Sequence, residues 1–319
     1  MTSSLRVDVP PSMTARHGSD RLRLVWYTDP HSIWCWGFEP ALRRIETLYA
    51  GRVDVEVRMG GLFEDFTPMR EYWTRMSGGR WRESVAAFMT AVAGQHRMPM
   101  NAGAIAAGAD DFLSTWPACI AAKAAEMQGR DGGWRYLRGL REAFLLEGRP
   151  IHRRDVQLAI ASELGLDAAK FAGALDDGTA ERAFRADLAE CRERGIQGFP
   201  TFLIHGAHTS MRIEGYQPWE AFEHVLGEVP SPAAREASIL DLLGRHRRVA
   251  TREVAAVFGL GDDEAEILLD ELAVRGTVMR REIGGGLFWE RGSAPSSRAD
   301  LRDARGAASP GVHRQLPQD

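Results

Sequence analysis

The residues best equipped for chemistry lie together in Thr28-Asp29-Pro30-His31-Ser32-Ile33-Trp34-Cys35-Trp36-Gly37-Phe38-Glu39-Pro40. The run before them, Leu22 to Tyr27, has the apolar, aromatic and β-branched content of a strand, and Trp36 to Leu48 carries apolar residues at helical spacing. Ser32 and Cys35 therefore fall at a strand-to-helix junction. There the unpaired N–H groups of the first turn and the positive end of the helix dipole favour a thiolate or another anion. This is a setting for sulfur chemistry that holds one sulfur.

Each residue of the pair also has a plainer role. Ser32 is a good helix N-cap. Cys35 is either a core thiol or a reactive one, and the sequence leaves both open. His31 could serve as an acid or base beside Ser32, although a lone loop histidine is more often solvated. Of the aromatic residues, Trp36 and Phe38 read as core. Cys119 and Cys191 sit inside helical patterns and read as core as well. The 3 cysteines cannot all pair, and their wide spacing resembles neither a disulfide framework nor a zinc site. No metal is expected, and reduced thiols fit the cytoplasm.

The elements that position this stretch follow from pattern. A strand at about Leu22 to Thr28 leads into the helix, Gly51 stops it, and Arg52 to Met59 alternates apolar and charged residues as a second strand. A strand, a helix and a strand joined by short turns imply a right-handed βαβ unit with a parallel pair. From about Thr67 to Arg194 the pattern is helical throughout, as in Pro117 to Met127 behind Ser114 and Thr115. Strands return with Phe199-Pro200-Thr201-Phe202-Leu203-Ile204-His205. Pro200 cannot donate to a ladder, so it belongs at a strand start, where an X–Pro bond can be held cis. A turn at Gly206 to His208, a strand at Met211 to Glu214 and a helix from Pro218 to Leu226 complete an α/β domain with a large helical insertion.

Val229-Pro230-Ser231-Pro232 reads as a linker (229–234) to a small α+β unit at 235–291. Its pattern is three short helices (Ala233 to Gly244, Thr251 to Phe258, Asp262 to Arg275) and a hairpin around Gly284-Gly285-Gly286, which is winged-helix-like. DNA is an unpromising partner: the third helix holds Asp262, Asp263, Glu264, Glu266, Asp270 and Glu271, a face phosphate would repel, which outweighs Arg245, Arg247, Arg248, Arg280 and Arg281. Residues 1–20 and 292–319 read as a flexible leader and a disordered tail. The formal charge of −4, from 40 basic and 44 acidic residues, gives no reason to expect nucleic acid or anionic membrane, and no apolar run is long enough to cross a bilayer.

The order of elements from about Leu22 to Gly227 resembles the DsbA branch of the thioredoxin superfamily. In that family a Cys-x-x-Cys pair caps the first helix, a proline lies five positions after the second cysteine, and a cis-proline loop faces the pair. Ser32-Ile33-Trp34-Cys35, Pro40 and Phe199-Pro200-Thr201 match these in turn. Asp29-Pro30, Trp34-Cys35-Trp36, Gly60-Gly61-Leu62 and Trp116-Pro117-Ala118-Cys119-Ile120 look most like the cytoplasmic DsbA-like group, which contains adaptors that deliver the regulator Spx to the ClpXP protease. The resemblance implies a thioredoxin fold, with Ser32 and Cys35 at the catalytic positions and Trp34, Phe199, Pro200 and Thr201 around a bound thiol or partner, Trp34 on an exposed turn.

The departure is Ser32, which stands where the attacking sulfur should be, and a hydroxyl cannot perform thiol-disulfide exchange. Two functions follow. One is a protein-binding adaptor with weak or absent oxidoreductase activity. The other is a transferase or isomerase resembling kappa-class glutathione transferases and 2-hydroxychromene-2-carboxylate isomerases, in which Ser32 would hold the thiolate of glutathione or another low-molecular-weight thiol.

Overall fold

The computed structural model describes residues 21–108, 112–206, 210–227 and 237–292. The expected leader, the linker at 229–234 and all but the first residue of the tail lie outside that range. Contacts divide the chain into two compact units, one of residues 1–38 and 54–229, the other of residues 39–53 and 230–319.

The chain opens with β1 (Leu22–Thr28), α1 (Ile33–Gly37), α2 (Glu39–Leu48) and β2 (Val53–Met59). Where the sequence suggests one helix from Trp36 to Leu48, two helices form with Phe38 between them. Pro40 explains the break: it lacks an N–H and sits in the first turn of α2, where none is needed. The insertion follows as α3 (Thr67–Met76), α4 (Trp81–His96), α5 (Ala102–Ala107), α6 (Trp116–Glu126), α7 (Arg130–Leu145), α8 (Arg154–Glu163), α9 (Ala168–Asp176) and α10 (Thr179–Glu193). Then come β3 (Thr201–His205), β4 (Ser210–Glu214) and α11 (Trp219–Leu226).

The strand order is β2-β1-β3-β4, so β1 is internal. It runs antiparallel to β3 with Tyr27 opposite Thr201, and β3 runs antiparallel to β4 with Thr201 opposite Glu214. Both faces of β1 are buried, which is why it reads as a continuous apolar run. Trp26 packs against Phe38 and Phe202 on one face, while Val25 and Tyr27 join Cys191, Ile196 and Leu203 on the other. The insertion has its own core, in which Cys119, Tyr136, Leu140, Phe171 and Phe184 are buried.

In the second unit α2 joins α12 (Ile239–Arg245), β5 (Val249–Ala250), α13 (Thr251–Phe258), α14 (Asp262–Val274), β6 (Val278–Ile283) and β7 (Gly286–Arg291). The sheet order is β5-β7-β6, and β5, only two residues long, leaves no periodic signal in the sequence. Leu242, Val254, Leu269 and Trp289 form the core. The sequence groups α2 with 21–228, whereas contacts group it with the C-terminal segment. Arg43 on α2 explains the regrouping, since its guanidinium meets Glu39 at 2.7 Å, Glu46 at 2.6 Å and Glu253 on α13 at 3.2 Å.

Candidate functional site

The loop from β1 to α1 is built on Asp29. Its fully buried carboxylate accepts from the His31 N–H at 2.8 Å, the Leu62 N–H at 2.8 Å and the Cys119 Sγ–H at 3.3 Å, tying the loop to the segment after β2 and to α6. Burial alone would raise its carboxyl pKa, but the adjacent His31 and the Leu62 N–H hold it below the usual value, so it is ionised at neutral pH. The sequence offers Asp29 only as part of a motif. Its two bonds to distant segments leave no periodic trace.

Ser32 begins α1 as its N-cap, its Oγ accepting from the Cys35 N–H at 3.2 Å. It is 4% exposed, and Cys35 is fully buried. Burial pushes the Cys35 thiol up; Arg141 and the Ser32 and Thr28 hydroxyls oppose that without offsetting it, so a neutral thiol stands here at pH 7. Arg141 is itself buried, donating to Thr28 Oγ1 at 2.5 Å with its guanidinium 4.6 Å from the centre of the Trp26 ring. Nothing in the spacing of α7 singles out that cation, which fold geometry alone brings to the cysteine. Cys119 and Cys191 are buried as expected, the first held as a thiol by burial and Asp29, the second pushed up to about 12.

His31 departs from the solvated role the sequence suggests. It is buried between Phe112, with ring centres 5.0 Å apart, and Phe144, at 4.8 Å. The reason is the turn at Asp29, which fixes the His31 backbone and sends its side chain into the helical insertion. Trp34, expected on an exposed turn, is half-buried, its ring 5.8 Å from Tyr216 and 6.3 Å from His96. His96 is buried and its pKa falls to about 4 through desolvation, so it is neutral. Its Nδ1 accepts from the Met98 N–H at 3.0 Å, which leaves the proton on Nε2.

The register of β1 against β3 brings the second half of the site alongside. Phe199–Pro200 is a cis peptide, and the Pro200 carbonyl accepts from the Gly215 N–H at 2.8 Å. Thr201 is buried opposite Tyr27, and its hydroxyl donates to the Gly198 carbonyl at 2.7 Å. The Phe199 ring lies over Gly60 at the end of β2 so closely that a Cβ there would stand 1.9 Å from Cζ. Ser32 and Cys35 thus follow the end of an inner strand whose neighbour begins just after Pro200, and the site's sulfur is sealed from solvent.

A family model described as thioredoxin matches residues 26–224. The chain is 28% identical over 275 residues to the ClpXP adapter protein SpxH of Halalkalibacterium halodurans, covering 84% of this chain and 88% of that protein. Among solved structures, a putative protein disulfide isomerase from Nitrosomonas europaea aligns with a TM-score of 0.53 at 20% identity, covering 65% of this chain and 97% of that one. The cytosolic disulfide reductase DsbM from Pseudomonas aeruginosa aligns with a TM-score of 0.50 at 23% identity, covering 65% and 98%. These two likenesses concern the fold.

Proposed function

The chain belongs to the thioredoxin family, and on that footing we propose that it is a DsbA-like adaptor that binds a regulatory client of the Spx kind and presents it to a ClpXP-type protease, with thiol-disulfide chemistry weak or absent. One observation carries the chemical half of this reading: the pair holds a capping serine and a fully buried, neutral thiol. Exchange needs an exposed thiolate to attack and a second thiol to resolve, and neither is present. The adaptor half is supported by likeness to SpxH across both units, since the match extends well past residue 224.

The C-terminal unit, winged-helix-like in this reading, serves protein contact rather than DNA. The first turn of α14 carries Asp262, Asp263 and Glu264, and Arg280 on β6 is engaged by Glu266 and Asp270. Among the described residues no helix is long and apolar enough to cross a membrane. We place the protein in the cytoplasm, where such a protease and client meet.

The test is reconstituted degradation of an Spx-type client by ClpXP. Adding the chain should raise the client's degradation rate several-fold, and Cys35→Ser should leave that gain intact. Absence of both client binding and acceleration would overturn the adaptor reading. Strong disulfide exchange by the wild type, lost in Cys35→Ser, would overturn its chemical half. Glutathione binding lost in Ser32→Ala would replace the reading with a thiol-dependent enzyme.

A further inference from the structure

Behind the site loop, where it and the segment after β2 meet the helical insertion, lies a cavity of about 90 Å³ walled by aromatic and aliphatic side chains that include Phe63, Phe66, Phe112 and Phe144. His31 lines it, whereas Ser32 and Cys35 do not. Its side chain is 4% exposed; Nδ1 lies 3.7 Å from Asp29 Oδ1, the charge contact that lowers the Asp29 pKa, and Nε2 has no hydrogen-bond partner among the described residues. A buried polar group left unpaired is unfavourable, so this arrangement calls for an occupant with a matching polar atom.

Water meets that need poorly. The space exceeds what one water fills, and a buried water needs two to four polar partners. Of the other polar groups of the wall, Thr115 bonds to the Phe63 carbonyl, Arg149 pairs with Glu163 and the His152 ring packs edge-on against Phe112 at 5.5 Å. An anion is disfavoured by the ionised Asp29 beside His31. A neutral ring with one hydroxyl fits. The ring matches the aromatic walls, and the hydroxyl can both donate to and accept from an imidazole nitrogen.

We propose that this cavity binds a small neutral aromatic alcohol of about the size of phenol, with its hydroxyl on His31. Such a ligand reaches the site loop from behind, because His31 is the residue before Ser32 and its N–H is held by Asp29. The proposal stands independently of the adaptor reading.

Fluorine NMR on the full chain tests it with 4-fluorophenol, fluorobenzene and 4-fluorobenzoate. The expected result is a Kd for 4-fluorophenol of about 1 mM or tighter, binding of fluorobenzene weaker by about fivefold or more for loss of one hydrogen bond, and none of the benzoate. Ala106→Phe, which fills the cavity from its wall, should abolish binding. His31→Leu, which keeps a buried side chain, should remove the preference for the phenol over fluorobenzene. No binding at about 10 mM ligand, binding that survives Ala106→Phe, or a preference that persists in His31→Leu would each overturn the proposal.

Discussion

At Cys35 two effects oppose each other, and their balance decides what the site can do. The end of a helix, a nearby guanidinium and two hydroxyls stabilise a thiolate, yet complete burial removes the water that would solvate it, and burial wins. The consequence is measurable. In the native protein Cys35, Cys119 and Cys191 should all resist alkylation, and the rate should not climb between pH 7 and 9 as it does for a free thiol of pKa near 8.5. The sign follows from the raised pKa values: the neutral thiol persists through that window, and the thiolate forms only above it. After denaturation all three should label. Rapid native labelling at Cys35 would show that the junction opens, and monothiol redox sensing would then replace an inert core residue.

Among the elements, the site depends on where strands end. β2 stops at Met59, and the next residue, Gly60, makes room for the Phe199 ring that precedes the cis-proline. Gly60→Ala should therefore destabilise the chain by about 1–3 kcal/mol, the usual range for overpacking. Phe199→Ala should recover much of that loss, giving a coupling of about 1 kcal/mol or more between two residues far apart in sequence. Denaturant unfolding of the wild type, both single variants and the double variant measures it, and additive losses would mean that the ring swings aside freely. This contact shows where sequence reasoning reaches its limit. Gly60-Gly61 is visible as the end of a strand and Phe199-Pro200-Thr201 as a loop, but only the order β2-β1-β3 sets them against each other. The helical character of the insertion from Thr67 to Arg194 is legible because burial on one side leaves a helical period, as in α8. His31, Asp29 and Arg141 were illegible as a group: each makes its main contacts outside its own element, and a period records only the faces of one element.

For the molecule as a whole, the division that matters differs from the one marked by the Pro-rich segment at 229–234. α2 follows directly on the Ser32 helix in sequence yet belongs to the unit completed by the C-terminal segment, through Arg43. The glutamates that Arg43 holds are deeply buried in two cases, Glu39 at 1% and Glu253 at 0% exposure, so removing the cation takes the positive partner from two carboxylates that water cannot reach. Breaking a buried ion pair from one side costs about 3–5 kcal/mol. Arg43→Ala should therefore destabilise the second unit by roughly that much at pH 7. The loss should shrink as the pH is lowered, because Glu46, whose pKa burial raises, then takes up a proton and no longer needs the cation. A chain ending at residue 229 should show the same weakness, with α2 amides exchanging orders of magnitude faster than in the full protein. Hydrogen exchange on the three chains decides the point. Equal protection of α2 in the truncated and full chains would mean that the thioredoxin segment is self-sufficient, and that the boundary read from the prolines is the physical one.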